Sequence, residues 1–298
     1  MTDVIVICGP TGSGKTNLAI DLAKQLNTEI ISADSMNIYK GLDIGTAKPS
    51  FEELSAVKHH MIDIVSPNDE FSVSDYEKQG LIVINDLLKS KKIPIIVGGT
   101  GFYINSLLFG LSYGNSPKNE EIREKYNKMA LEFGVDKVFD VLKDVDPDTA
   151  SKLHPNDLKR VIRAIEIYEC SGQKKSQIVD DLTPRFNYKA YMIDYDRKIL
   201  YERINKRVDI MIENGLLNEV KTLLDNGVLK TAQSMQGIGY KEVVEFLEKS
   251  IAFEEMVEKI KQNTRRYAKR QITFFKRLDN LVYLKPNDML SKEIIDNL

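Results

Sequence analysis

The stretch Val4-Ile5-Val6-Ile7-Cys8-Gly9-Pro10-Thr11-Gly12-Ser13-Gly14-Lys15-Thr16 decides the fold. An apolar run of strand length stops at a glycine. Beyond the glycine-rich turn, Leu18, Ala19, Leu22, Ala23 and Leu26 recur with the period of a helix. Residues 9–16 match G-x-x-x-x-G-K-[ST] in full, in the strand-to-helix setting that the pattern requires. Glycines let backbone N–H groups curl around phosphate oxygens, and the helix N-terminus adds positive potential. Lys15 supplies a full charge, and Thr16 a hydroxyl suited to Mg²⁺. Gly9, Pro10, Thr11, Gly12, Ser13, Gly14, Lys15 and Thr16 are therefore candidate phosphate-binding residues. The loop alone does not distinguish a triphosphate from a diphosphate.

Outward from this loop, strand signals recur at Glu29–Ala33, His60–Val65 and Ile93–Val97, with a helix expected over Val73–Leu88 between the last two. Strands alternating with helices argue for a doubly wound sheet. The expected fold is α/β: a P-loop NTPase-like parallel sheet with flanking helices and a helical insertion domain. Residues 1–112 form the first part of the core. Residues 113–183 form the insertion, opening in a turn over 113–119 and broken at Gly134, Pro147 and Pro155. Residues 184–298 complete the core, with a returning strand at Ala190–Asp194, long helical segments from Lys198 to about Leu278 and a last strand at Leu281–Leu284.

Over 298 residues, 42% hydrophobic and 29% charged residues are ordinary for a globular chain, and no apolar run reaches membrane-spanning length. The N-terminal residues carry no secretory leader pattern. Cys8 and Cys170 are the two cysteines, too few for a disulfide framework or a thiolate zinc site. A cytoplasmic protein that does not enter membranes is expected. The net charge of −2 hides an asymmetry: residues 1–112 hold 9 Lys, no Arg and 13 acids. Any guanidinium that meets a phosphate there must come from Arg123 or beyond. The run from Lys259 to Arg277 carries eight cations and no acid, which fits either a solvated helix face or a polyanion partner. Within it, Arg265, Arg266, Lys269 and Arg270 are expected to face outward.

The fourth strand ends in Gly98-Gly99-Thr100-Gly101 without the acid that ATPases place there for Mg²⁺, and the guanine-reading Asn-Lys-x-Asp is missing. An ordinary motor or switch NTPase is disfavoured. Thr100 and Asp34 instead fall at the carboxyl edge of the sheet, where open α/β folds bind ligands. Asp34 could ligate Mg²⁺, cap the next helix or act as a general base. Lys159 and Arg163 lie one helical turn apart, on either a solvated face or a polyanion contact. His59, His60 and His154 lack metal-ligand spacing and read as structural.

Residues 9–16, the block from Ser32 through Asp34 to Pro49, His59–Ile64 and Gly98–Tyr103 together resemble the tRNA dimethylallyltransferases, also called tRNA isopentenyltransferases. Segments 154–166, 206–211 and 233–242 extend the resemblance over nearly the whole chain. The resemblance implies transfer of a dimethylallyl group from dimethylallyl diphosphate to the exocyclic amine of the adenosine 3′ of the anticodon. Asp34 would accept the amine proton. Lys15, Mg²⁺ on Thr16, Thr100 and Arg207 would stabilise the departing diphosphate. Contacts with the tRNA anticodon stem-loop would fall on Asp34, Ser35, Met36, Asn37, Thr100, Arg123, Lys159, Arg160, Val161, Ile162, Arg163, Gln236, Gly237, Gly239, Tyr240 and Lys241. Asn37 stands where the family commonly has Gln, and Lys40 where it has Arg. With two cysteines the chain lacks the zinc finger of eukaryotic relatives and resembles the bacterial type, expected as a monomer. The alternatives are an adenylate isopentenyltransferase acting on free nucleotides, a P-loop nucleotide kinase and a non-enzymatic RNA-binding protein.

Overall fold

A computed structural model describes residues 2–113 and 116–298. Gly114 and Asn115, in the turn expected over 113–119, lie outside the described residues. The chain opens with β1 (Val4–Cys8), α1 (Lys15–Leu26), β2 (Ile30–Ala33), α2 (Phe51–Ala56), β3 (His59–His60), α3 (Val73–Lys89), β4 (Ile95–Gly98) and α4 (Gly101–Leu108). There follow β5 (Phe109–Gly110), α5 (Glu120–Phe133), α6 (Val135–Val145), α7 (Pro147–Ala150), α8 (Leu158–Ser171) and β6 (Asp181–Pro184). Then come β7 (Tyr188–Ile193), α9 (Arg197–Glu213), α10 (Leu216–Asp225), α11 (Tyr240–Leu247), α12 (Phe253–Phe275), β8 (Leu281–Leu284) and α13 (Leu290–Asp296). They form two compact units, Met1–Leu108 with Pro184–Leu298, and Phe109–Thr183.

In the first unit six strands run β3-β2-β4-β1-β7-β8, each neighbouring pair parallel. A parallel sheet is covered on both faces, so β1 and β2 are buried along their whole length instead of alternating. One layer of core joins Ile5, Leu22, Ile30, Tyr191 and Ile294 beneath α1 and α13. Gly80 lets α3 lie close to α4, because a Cβ there would sit 2.7 Å from a Leu107 methyl. Tyr76 stacks on Tyr103 with ring centroids 3.7 Å apart and donates its hydroxyl to Ser32 O at 2.8 Å.

The strand expected over His60–Val65 shrinks to the His59–His60 pair. Met61 and Asp63 take φ values of 63° and 55°, a left-handed backbone that ends the pleat. Helix α2 was not expected, although Ser50 and Glu53 form the capping box that starts it.

In the second unit α5, α6 and α8 pack Tyr126, Val138, Leu142, Val161 and Ile165 into their own core, and β5 pairs with β6. Helix α5 ends at Phe133 before Gly134, α7 opens at Pro147 just after α6 ends, and α8 starts at Leu158 beyond Pro155.

Candidate active site

The loop after β1 uses its glycines as backbone devices. Gly9, Gly12 and Gly14 take φ of 128°, 78° and 84°, which a side chain would strain. At Gly9 a Cβ would also meet Met192 at 2.8 Å. Ser13 is buried and donates to Pro10 O at 2.9 Å, closing the turn from within. Helix α1 then starts at Lys15, presenting its first-turn N–H groups toward the loop.

A cavity of about 410 Å³ opens over this loop, lined by Thr11, Gly12, Gly14, Lys15 and Thr16 and by Asp34, Ser35, Met36 and Asn37 after β2. Arg207, from α9, lines the same cavity. Its Nη2 donates to Thr46 O at 3.4 Å, while its Nε is buried without a hydrogen-bond partner among the described residues. Burial lowers the Arg207 pKa, opposed by the Asp34 charge. Burial also lowers Lys15, to about 8, helped by the Arg207 charge and opposed by Asp34. Two cations crowded at a phosphate loop beside one carboxylate form a site that favours an anion of high charge.

Asp34 is shaped by its own backbone: Oδ1 accepts from Met36 N at 2.9 Å, an Asx turn that holds the carboxylate at the sheet edge. Thr100 is locked to the same loop. Its N–H donates to Ala33 O at 3.0 Å, and its hydroxyl accepts from Ser35 N at 3.0 Å. Gly98 allows this approach, since a Cβ there would lie 2.1 Å from Ala33 O.

Two supports escaped the sequence reading. Helix α12 lays Ile260, Thr264, Tyr267 and Gln271 along the cavity at helical spacing, a periodic face that the basic residues between them obscure. The Tyr267 hydroxyl interacts with Thr100 and Gln271, and its phenol is pushed up to about 12, mainly by burial. Glu219, from α10, accepts the backbone N–H groups of Asp43, Ile44 and Gly45 at 2.9, 2.7 and 3.1 Å, fixing the loop that meets Arg207. No local pattern marks Glu219, whose partners are distant in sequence.

Gln236, Gly237 and Tyr240 also line the cavity, Lys241 is exposed and Gly239 is buried. Gly237 packs on Met36, where a Cβ would sit 2.5 Å from its Cε. Tyr240 is buried and donates its hydroxyl to Glu219 Oε1 at 2.6 Å, anchoring this segment to α10. The outward-facing expectation for Arg265 is corrected. It donates to Asn205 at 2.7 Å and pairs with Glu258 at 2.9 Å, whereas Arg266, Lys269 and Arg270 are exposed.

Within the second unit, Lys159 and Arg160 are exposed, Arg160 pairing with Asp157 at 3.2 Å. Val161 and Ile162 turn their side chains into the helical core of this unit. Arg123 and Arg163 both grip the fully buried Glu166 carboxylate, at 2.8 and 2.5 Å. Arg163 also donates to Tyr113 O and Ser116 O at 2.9 and 2.8 Å. Of the histidines, His60 binds Glu29 at 2.7 Å, His59 contacts Val57 O at 2.8 Å and lines the cavity, and His154 is exposed.

Fold and site define an α/β enzyme of the P-loop kind, in which a phosphate cradle faces a carboxylate across one polar cavity. The IPP transferase family model matches residues 37–278. A tRNA dimethylallyltransferase of Caldanaerobacter subterraneus is 48% identical over 97% of this chain and 94% of its own length; one of Acetivibrio thermocellus is 46% identical over 100% and 96%. Among solved structures, the full-length tRNA isopentenylpyrophosphate transferase of Bacillus halodurans is 38% identical with a TM-score of 0.74, covering 100% of this chain and 95% of its own. A eukaryotic dimethylallyltransferase acting on tRNA is 31% identical with a TM-score of 0.83, covering 100% and 80%. The chain belongs to the IPP transferase family.

Proposed function

We propose that this enzyme transfers a dimethylallyl group from dimethylallyl diphosphate to the exocyclic N6 amine of the adenosine 3′ of the anticodon of tRNA, in the cytoplasm. The bond from the amine nitrogen to the allylic C1 forms as the C1–O bond breaks, and the electron pair leaves with the diphosphate. The proton of the amine passes to Asp34, whose carboxylate the Asx turn holds at the cavity edge. Lys15 and Arg207 balance the negative charge that grows on the leaving group. The observation that carries this reading is the buried Nε of Arg207, without a partner among the described residues, in the cavity that the phosphate loop shares with Asp34.

The site fits Mg²⁺ bound largely through the substrate. Thr16 and Asp34 line one cavity, and among the described residues no cluster of three or more His, Cys, Asp or Glu side chains could cage a metal alone. Thr16 would hold the ion against diphosphate oxygens, where it would supply further charge neutralisation. Reaching a stacked adenosine also requires unstacking it, at a cost of about a few kcal/mol that RNA-backbone contacts offset. Exposed Lys159 and Lys241, and Arg266, Lys269 and Arg270 on α12, serve that purpose in this reading.

The test incubates the protein with dimethylallyl diphosphate, Mg²⁺ and unmodified tRNA and weighs the digested nucleosides. Adenosine next to the anticodon should gain one dimethylallyl group in place of hydrogen. Modification of free adenosine monophosphate with tRNA untouched would overturn the tRNA reading.

A further inference from the structure

We propose that Gln271 is a positioning residue that fixes the phosphate loop against the loops carrying Asp34 and Thr100. The inference rests on the reading above and adds a residue to it. Gln271 sits on α12 at 5% exposure, with both ends of its amide in use. Its Oε1 accepts from Thr11 N, inside the phosphate loop, at 3.0 Å, and its Nε2 donates to Gly99 O at 2.9 Å. Gly99 precedes Thr100, which is bonded to Ala33 and Ser35 on either side of Asp34. One amide therefore links the loop that would hold the donor to the loops that would hold the acceptor.

The chemistry of the link selects glutamine. It must accept at one end and donate at the other, so a carboxylate fails at Gly99, and a thioether fails at Gly99 and accepts only weakly from Thr11 N. The fit is tight at the glycine, where a Cβ on Gly99 would lie 2.1 Å from the Gln271 Nε2. Transfer between two bound substrates depends on the separation of amine and allylic carbon, and a shift of about 1 Å costs on the order of 100-fold in rate. Because the link runs between loops, its loss should change that separation without removing any group that binds phosphate.

The experiment compares Gln271→Glu and Gln271→Met with wild type. Single-turnover rates are measured at saturating dimethylallyl diphosphate and tRNA, and affinities for inorganic diphosphate and for tRNA by calorimetry. Both variants should lose about 10- to 100-fold in rate; in Gln271→Met, which brings no charge to the cavity, both affinities should stay within about 3-fold of wild type, whereas the carboxylate of Gln271→Glu should also repel diphosphate. A rate close to wild type in either variant overturns the proposal. So does a fall in diphosphate affinity parallel to the rate in Gln271→Met, which would make Gln271 a binding residue. Loss of fold in both variants, read by circular dichroism, overturns it by making the amide a stability element. Failure of the functional reading itself would show separately, as wild-type protein that transfers nothing.

Discussion

Lys15 donates its ammonium to Pro10 O at 2.6 Å, so the one charged side chain of the phosphate loop is held over its own backbone. Burial and the Arg207 charge lower it to about 8, so it surrenders its proton as pH rises through that value. Diphosphate affinity should accordingly be full below about pH 8 and fall above it. Arg207→Ala removes a like charge and should move the break to higher pH, while Lys15→Met should abolish it. Calorimetric Kd values for inorganic diphosphate across pH check this; a flat wild-type profile would remove Lys15 from the binding step.

Asp34→Asn keeps the shape and the bond to Met36 N but removes the proton acceptor. Single-turnover transfer should fall by about two to four orders of magnitude, the range for loss of a general base. Affinity for tRNA should change far less. An Asn variant that transfers at nearly the wild-type rate would leave Asp34 a structural turn residue.

The parts legible in the sequence are those fixed by local rules. A buried parallel strand reads as an apolar run, and the glycine loop reads from its spacing, so β1, α1, β2 and β4 could be placed directly. The third strand misled because Met61 and Asp63 turn left-handed without being glycines. In the site, Lys15 and Asp34 follow from strand ends. Arg207 could be matched only by resemblance, since no spacing rule relates α9 to the loop after β1. Gln271, Glu219 and the Arg123–Glu166 pairing stayed hidden because their partners are distant in sequence, and an acid or amide in an amphipathic helix looks like any exposed polar residue.

Glu166 organises the second unit. Burial pushes its pKa up, but bonds from Arg123, Asn119 N and Arg163 outweigh that and hold it below the ordinary value. A depressed folded-state pKa means that this stabilisation is complete above the unfolded carboxylate range and is lost as pH falls through the folded value. Glu166→Ala should cost about 3 kcal/mol, the low end for breaking a buried pair, because both guanidiniums keep some contact with water. Denaturant unfolding gives the size. Faster hydrogen exchange confined to α5, α6 and α8 gives the place, and unchanged exchange there would refute the assignment.

The basic run on α12 is less free than its composition suggests. Lys259 pairs with Glu255 at 3.1 Å, Lys261 with Asp209 at 2.6 Å and Arg265 with Glu258 at 2.9 Å, acids that lie outside the run. Arg266, Lys269 and Arg270 are exposed and form no ion pair among the described residues, though Arg270 lies over the Tyr267 ring at 5.5 Å and lines the cavity. If these three neutralise RNA phosphates, each should contribute roughly 0.7 to 0.9 to the slope of log affinity against log salt. Replacing all three by Ala should flatten that slope by about two units or more and weaken tRNA binding at low salt. Diphosphate affinity should hold in the Arg266→Ala/Lys269→Ala double variant, because neither residue lines the cavity that holds Lys15 and Arg207. Arg265→Ala should leave the slope alone, since its charge is already spent on Glu258. Flattening by Arg265→Ala of about a third of that in the triple variant would mean that the helix acts through its total charge and not through these exposed residues.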